Sequence, residues 1–89
     1  MGSQPDTQLS ESFKEKLIAA TAEVFDFSAK DFRLDLPLAE IEGWDSMNAV
    51  NLTLELETAF SVNLEGIILT ADQTFADVVA ILEEKGATA

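Results

Sequence analysis

Residues 43–60 read GWDSMNAVNLTLELETAF, and the fold turns on how this stretch divides. Gly43 interrupts the chain, and the carboxylate of Asp45 can accept a hydrogen bond from a first-turn amide, so a helix is predicted from about Ser46 to Phe60. At about 100° per residue, Ala49, Leu52, Leu56, Ala59 and Phe60 gather on one side with Thr53 beside them. Met47, Val50, Asn51, Leu54 and Thr58 fall on nearly the opposite side. The first set alternates large and small residues and ends in a bulky ring, which makes it the expected core face. Met47, Val50 and Leu54 are left as a second apolar strip, with Asn48 and Glu55 along one edge and Glu57 on the other. Such a strip suits protein docking, with burial under the preceding loop or against a second copy as the competing readings.

Upstream, DFSAKDFRLDLPLAEIEGWD at residues 26–45 has no helical period, yet it holds Phe27, Phe32, Leu34, Leu36, Leu38, Ile41 and Trp44. Ordinary connections run to about 4–6 residues, so a longer apolar one is expected to be pinned across the core. Pro37 disfavours helix at Leu36. Trp44 either anchors this loop against the helix or sits exposed beside Ser46. Further back, Phe13, Leu17, Ala20 and Val24 form the stripe of a first helix running to about Phe25. Ser10, or Ser12 with Glu15 at the capping-box spacing, can start it.

Downstream of Phe60, Val62 and Leu64 alternate with polar residues, and EGIIL at residues 65–69 fits either one short helical turn or an extended piece. Thr74 with Asp77 makes a capping box for a last helix, whose apolar stripe of Phe75, Val78, Val79, Ile81 and Leu82 runs on until Gly86. The whole reads as one all-α domain over residues 10–85, between a polar arm at residues 1–9 and a frayed end at residues 86–89. A chain of 89 residues has room for one core, burying roughly 60% of its extended surface.

The 17 acidic side chains against 5 basic ones give a formal charge of -12, which repels nucleic acid and anionic bilayers and attracts proteins with basic patches. A hydrophobic fraction of 47% is enough to build a core, which argues against a disordered acidic tail. The N-terminal residues lack a signal-peptide apolar core, and no apolar run is long enough to span a bilayer. A monomeric cytoplasmic protein without membrane insertion is expected.

The chain has neither cysteine nor histidine. Disulfides, thiolate metal sites, cysteine nucleophiles and the usual neutral-pH base are therefore excluded. Ser46 has no histidine to activate it, and Lys14, Lys16, Lys30 and Lys85 form no nucleophile motif with it. An enzyme is not expected. Two readings of Ser46 stay open from the residues alone: an ordinary first-turn serine, or a modified one whose phosphate would lie beside unpaired first-turn amides and the positive end of the helix dipole.

The motif Gly43-Trp44-Asp45-Ser46-Met47, with the loop before it, Glu55-Leu-Glu57, Phe60-Ser-Val-Asn-Leu64 and Thr74-Phe-Ala-Asp-Val-Val79 after it, resembles the acyl carrier protein family over roughly residues 10–85. The resemblance implies a four-helix bundle with a long loop between helices one and two and a short third helix. It implies that a phosphopantetheinyl transferase attaches 4'-phosphopantetheine to Ser46, with Asp45 as motif residue and helix cap. The arm would carry acyl thioesters to acyl-transferring, synthase or ligase enzymes with basic docking patches, and Met47, Val50, Leu54, Glu55 and Glu57 would be their recognition surface. Fatty-acid carriers have acidic residues where this chain has Asn48, Asn51 and Thr58, and Trp44 is a form associated with specialised carriers as much as with the housekeeping one. Two other readings stand beside the acyl carrier: an amino-acyl or peptidyl carrier, which Asp45 disfavours, and an unmodified carrier-like interaction module.

Overall fold

A computed structural model describes residues 10–87. The expected arm at residues 1–9, and residues 88–89 of the expected frayed end, lie outside the described residues. Among the described residues three α-helices form: α1 (Glu11–Val24), α2 (Ser46–Phe60) and α3 (Phe75–Glu84). Short 3-10 turns at Ala29–Asp31 and Leu38–Glu40 interrupt the connection between α1 and α2.

The cap of α1 is Ser10, whose Oγ accepts the Phe13 N–H at 3.1 Å. Ser12 lies inside the first turn, so the Ser12–Glu15 box is not used. The stripe reads as predicted in its first three members: Phe13, Leu17 and Ala20 are buried. Thr21 is buried with them, because its hydroxyl donates to the Leu17 carbonyl at 2.8 Å and brings no unsatisfied polar atom inside. On α2 the buried set is Ala49, Leu52, Thr53, Leu56 and Phe60, and the Phe60 ring meets Phe13 of α1 at 4.6 Å between centroids.

The long connection crosses the core as its apolar content predicts. Leu36, Leu38 and Ile41 are buried, and the Phe27 and Phe32 rings lie 5.5 and 5.0 Å from that of Phe75 at the start of α3. Backbone bonds fasten it to the far end of the chain. The Leu38 N–H donates to the Gln73 carbonyl at 2.8 Å, Ala39 to Ala71 at 3.1 Å, and Ala76 back to Leu34 at 2.8 Å. Pro37 and Thr74 form an isolated bridge between these bonds.

The all-α class stands, but the short third helix of a four-helix bundle is corrected: residues 61–74 form turns and no helix. Local polar groups capture the backbone donors a helix would need. The Glu65 N–H goes to Asn63 Oδ1 at 2.8 Å and the Thr70 N–H to Gln73 Oε1 at 2.9 Å. Gly66, at φ +85°, breaks the segment between them. Leu64 and Leu69 still reach the core, so the segment packs without helical order.

The predicted capping box opens α3: Thr74 Oγ1 accepts the Asp77 N–H, and the Asp77 carboxylate accepts the Thr74 N–H at 3.0 Å. Gly86, at φ +93°, closes it. The Gly86 N–H donates to Glu83 and the Ala87 N–H to Leu82, the paired bonds of a Schellman ending, and Ala87 is buried there.

Candidate functional site

The loop before α2 is held by aromatic packing from within. Trp44 is half-buried and stacks on Phe25, with centroids 5.7 Å apart and planes 16° from parallel, so it anchors the loop. Gly43 takes a left-handed φ of +91°, where a side chain would be strained. A Cβ placed there would lie 3.7 Å from the same Phe25 ring, an ordinary contact, so the dihedral and not the space is what favours glycine. Asp45 follows in extended conformation, and its Oδ1 accepts the Asn48 N–H at 2.8 Å as the N-cap of α2.

Ser46 is the first residue of α2 and is exposed. Its hydroxyl makes no hydrogen bond among the described residues, and the N–H groups of Ser46 and Met47 likewise find no partner there. An exposed, uncommitted hydroxyl beside free amides at a helix N-terminus fits a phosphodiester, since both the amides and the helix dipole favour an anion. Two of the lysines are committed elsewhere: Lys14 lies over the Phe32 ring at 5.9 Å and Lys16 over that of Phe60 at 5.8 Å. Among the described residues, no group of three or more acidic, histidine or cysteine side chains is placed to hold a metal ion.

Met47, Val50 and Leu54 are open to solvent, at 73%, 58% and 54% exposure, so burial under the long connection does not account for them. Glu55 is half-buried at a groove of about 260 Å³ that it shares with Glu23, Val24, Asn48, Asn51 and Leu54. Glu57 does something the sequence did not announce. Its Oε2 accepts the Leu64 N–H at 2.6 Å, while its own carbonyl accepts the Val62 N–H, so both ends of the residue hold the turn after α2. Ser61 passes through that turn at φ +56°, a left-handed position without glycine. Asn48, at the edge of the strip, likewise has a task that its helical position does not announce: its Nδ2 donates to the Gly43 carbonyl at 3.1 Å.

The position of Glu57 separates two acidic residues that the sequence treats alike. Glu57→Ala should cost about 1.5–3 kcal/mol, because it removes a bond to a charged acceptor and leaves the Leu64 amide unpaired. Glu55→Lys should stay within about 0.5 kcal/mol of the parent, as surface substitutions do. Thermal melting checks this: a fall of roughly 10 °C for Glu57→Ala against a few degrees for Glu55→Lys is expected. Equal melting temperatures would remove the structural role of Glu57.

The structure thus sets an exposed serine at the head of the second helix of a small all-α domain. A family model described as "Phosphopantetheine attachment site" matches residues 15–82, which take in the loop before α2 and all of α2. The chain belongs to this family of acyl-carrier-type, phosphopantetheine-binding domains, and such domains are carrier modules without catalytic activity of their own. No curated protein and no solved structure matches the chain. Among the described residues, no helix is long and apolar enough to cross a membrane.

Proposed function

We propose that Ser46 carries 4'-phosphopantetheine and that the chain presents acyl groups to the enzymes of fatty-acid, polyketide or related lipid synthesis. The observation that supports this most directly is the exposed Ser46 hydroxyl beside the unpaired amides of the first turn of α2, within a stretch that matches the family. When bound, the group supplies a terminal thiol that holds an acyl chain as a thioester. The chain supplies the rest. Its hydroxyl oxygen bonds to the phosphorus of coenzyme A nearer the pantetheine, adenosine 3',5'-bisphosphate leaves, and the serine proton passes to a phosphopantetheinyl transferase. The amides of Ser46 and Met47 then face the new anionic phosphodiester.

Met47, Val50 and Leu54 form the docking surface for the transferase and for acyl-transferring, synthase or ligase partners. Basic patches on those partners meet Asp45, Glu42 and Glu40 at the head of the helix and Glu55 farther along it, a pairing that steers encounter more than it adds affinity. Asp45 beside the serine favours acyl over amino-acyl cargo.

The test is intact mass after incubation with coenzyme A, magnesium and a panel of phosphopantetheinyl transferases. A gain of roughly 340 Da is expected, the mass of one phosphopantetheine less water. An unchanged mass with every transferase would leave an unmodified interaction module instead.

A further inference from the structure

We infer that Asn48 is a positioning residue for the loading of Ser46, its side-chain amide holding the attachment loop closed around the serine; this rests on the proposed function of Ser46. The loop has two fastenings. Trp44 stacked on Phe25 secures its inner side. On the outer side everything converges on Asn48. Its backbone N–H donates to Asp45 Oδ1 at 2.8 Å, its Nδ2 donates to the Gly43 carbonyl at 3.1 Å, and its Oδ1 accepts from Asn51 Nδ2 at 3.2 Å. Residues 43–48 thereby close into a ring with Ser46 in the side opposite the amide.

The bonding pattern of this chain uses a primary amide. Gly43 bends the backbone at φ +91°, and its solvent-facing carbonyl accepts the Asn48 amide. Asn51 donates its exposed side-chain amide to Asn48 Oδ1. Only a side chain that donates at one atom and accepts at the other serves both, and asparagine has the reach. Aspartate at this position would keep the bond from Asn51 but set a carboxylate oxygen against the Gly43 carbonyl, and the loop would lose its outer fastening. Aspartate would at the same time suit the helix, because negative charge in the first turn complements the dipole. The two effects run in opposite directions, so the substitution separates helix stability from loop closure.

Holding the loop fixes where the Ser46 oxygen sits relative to Met47 and Val50, on which the transferase docks. A free loop lowers the fraction of docked complexes with the hydroxyl in line with the phosphorus, and leaves docking itself unchanged. The loss therefore belongs to kcat and not to KM.

Loading rates of the parent chain, Asn48→Asp and Asn48→Ala are to be measured at about 0.5 M NaCl, where the Debye length is on the order of 4 Å and the added charge of aspartate exerts little steering. Both variants are expected to lose three- to tenfold in kcat, roughly the worth of one hydrogen bond, with KM unchanged. Backbone order parameters at residues 43–46 should fall from about 0.85 toward 0.6, while Asn48→Asp melts no lower than the parent. Unchanged order parameters, parent-like kcat in Asn48→Asp, or a loss confined to KM would each overturn the role. If no transferase loads the parent chain, the carrier reading fails and the positioning role with it. The order parameters then decide by themselves whether the amide holds the loop.

Discussion

Ser46→Ala is expected to abolish the roughly 340 Da gain under conditions that load the parent chain completely, and to leave the melting temperature within a few degrees. Both halves follow from the same geometry. The side chain is exposed and its hydroxyl bonds to nothing among the described residues, so its removal opens no cavity and orphans no partner. The cap of α2 belongs to Asp45, whose bond to the Asn48 N–H survives the change. Alanine is also the best helix former, which offsets any loss at the first turn. Intact-mass spectrometry and a melting curve on the same sample check the prediction. Residual gain in mass would place the modification on another residue, and the other serines and threonines could then be tested by peptide mapping.

The placement of Ser46 was legible because helix ends announce themselves locally. Asp45 caps over three residues, Thr74 with Asp77 does the same, and the buried positions of α2 repeat at helical spacing. These interactions lie within one or two turns of sequence, so the pattern carries them. The long connection was legible in a weaker sense. Its apolar content required a core contact, but nothing local said that Leu38 and Ala39 would bond to Gln73 and Ala71. Such pairings belong to the fold as a whole. The segment after α2 went the other way. The alternation of Val62 and Leu64 and the run EGIIL left helix and extended forms open, and short-range polar bonds from Asn63 and Gln73 decided against the helix.

At the site, composition left Ser46 without a histidine or cysteine to work with, and the two-sided pattern of α2 identified the strip that the structure leaves exposed. The tasks of Asn48 and Glu57 were hidden, because each bonds to backbone whose direction depends on an unusual dihedral. Gly43 sits at φ +91° and Ser61 at φ +56°, and a one-dimensional pattern does not fix either turn. A signal for the first existed in retrospect: glycine followed five positions later by asparagine at a helix start is the spacing that lets the amide reach back. For Glu57 the partner lies seven positions on, across the end of the helix, and no helical spacing points to it.

Phe75→Ala is expected to cost about 3–5 kcal/mol, a large part of the whole stability of a domain whose folding free energy is on the order of 5–15 kcal/mol. Phe75 is fully buried. Its ring is shared by two residues of the long connection, Phe27 and Phe32, at centroid separations of 5.5 and 5.0 Å. Aromatic pairs of this kind add about 0.5–1.5 kcal/mol each beyond the area they bury. The Ala76 N–H bond to the Leu34 carbonyl comes from the next residue, so the loss of the ring loosens both the side-chain and the backbone fastening of that connection. A charge of -12 repels itself most in the compact form, which favours expansion once the ring is gone. The melting temperature should fall by roughly 15–30 °C, whereas Phe75→Leu, which refills most of the volume, should fall by less than half as much. The same connection ends at Trp44 stacked on Phe25, which gives an optical reading of the same event. Trp44 emission should shift to longer wavelength in Phe75→Ala at temperatures where helical circular dichroism is still retained, as the connection detaches ahead of the helices. Simultaneous loss of both signals would mean that connection and helices form one cooperative unit, and a fall of only a few degrees would mean that the ring is replaceable.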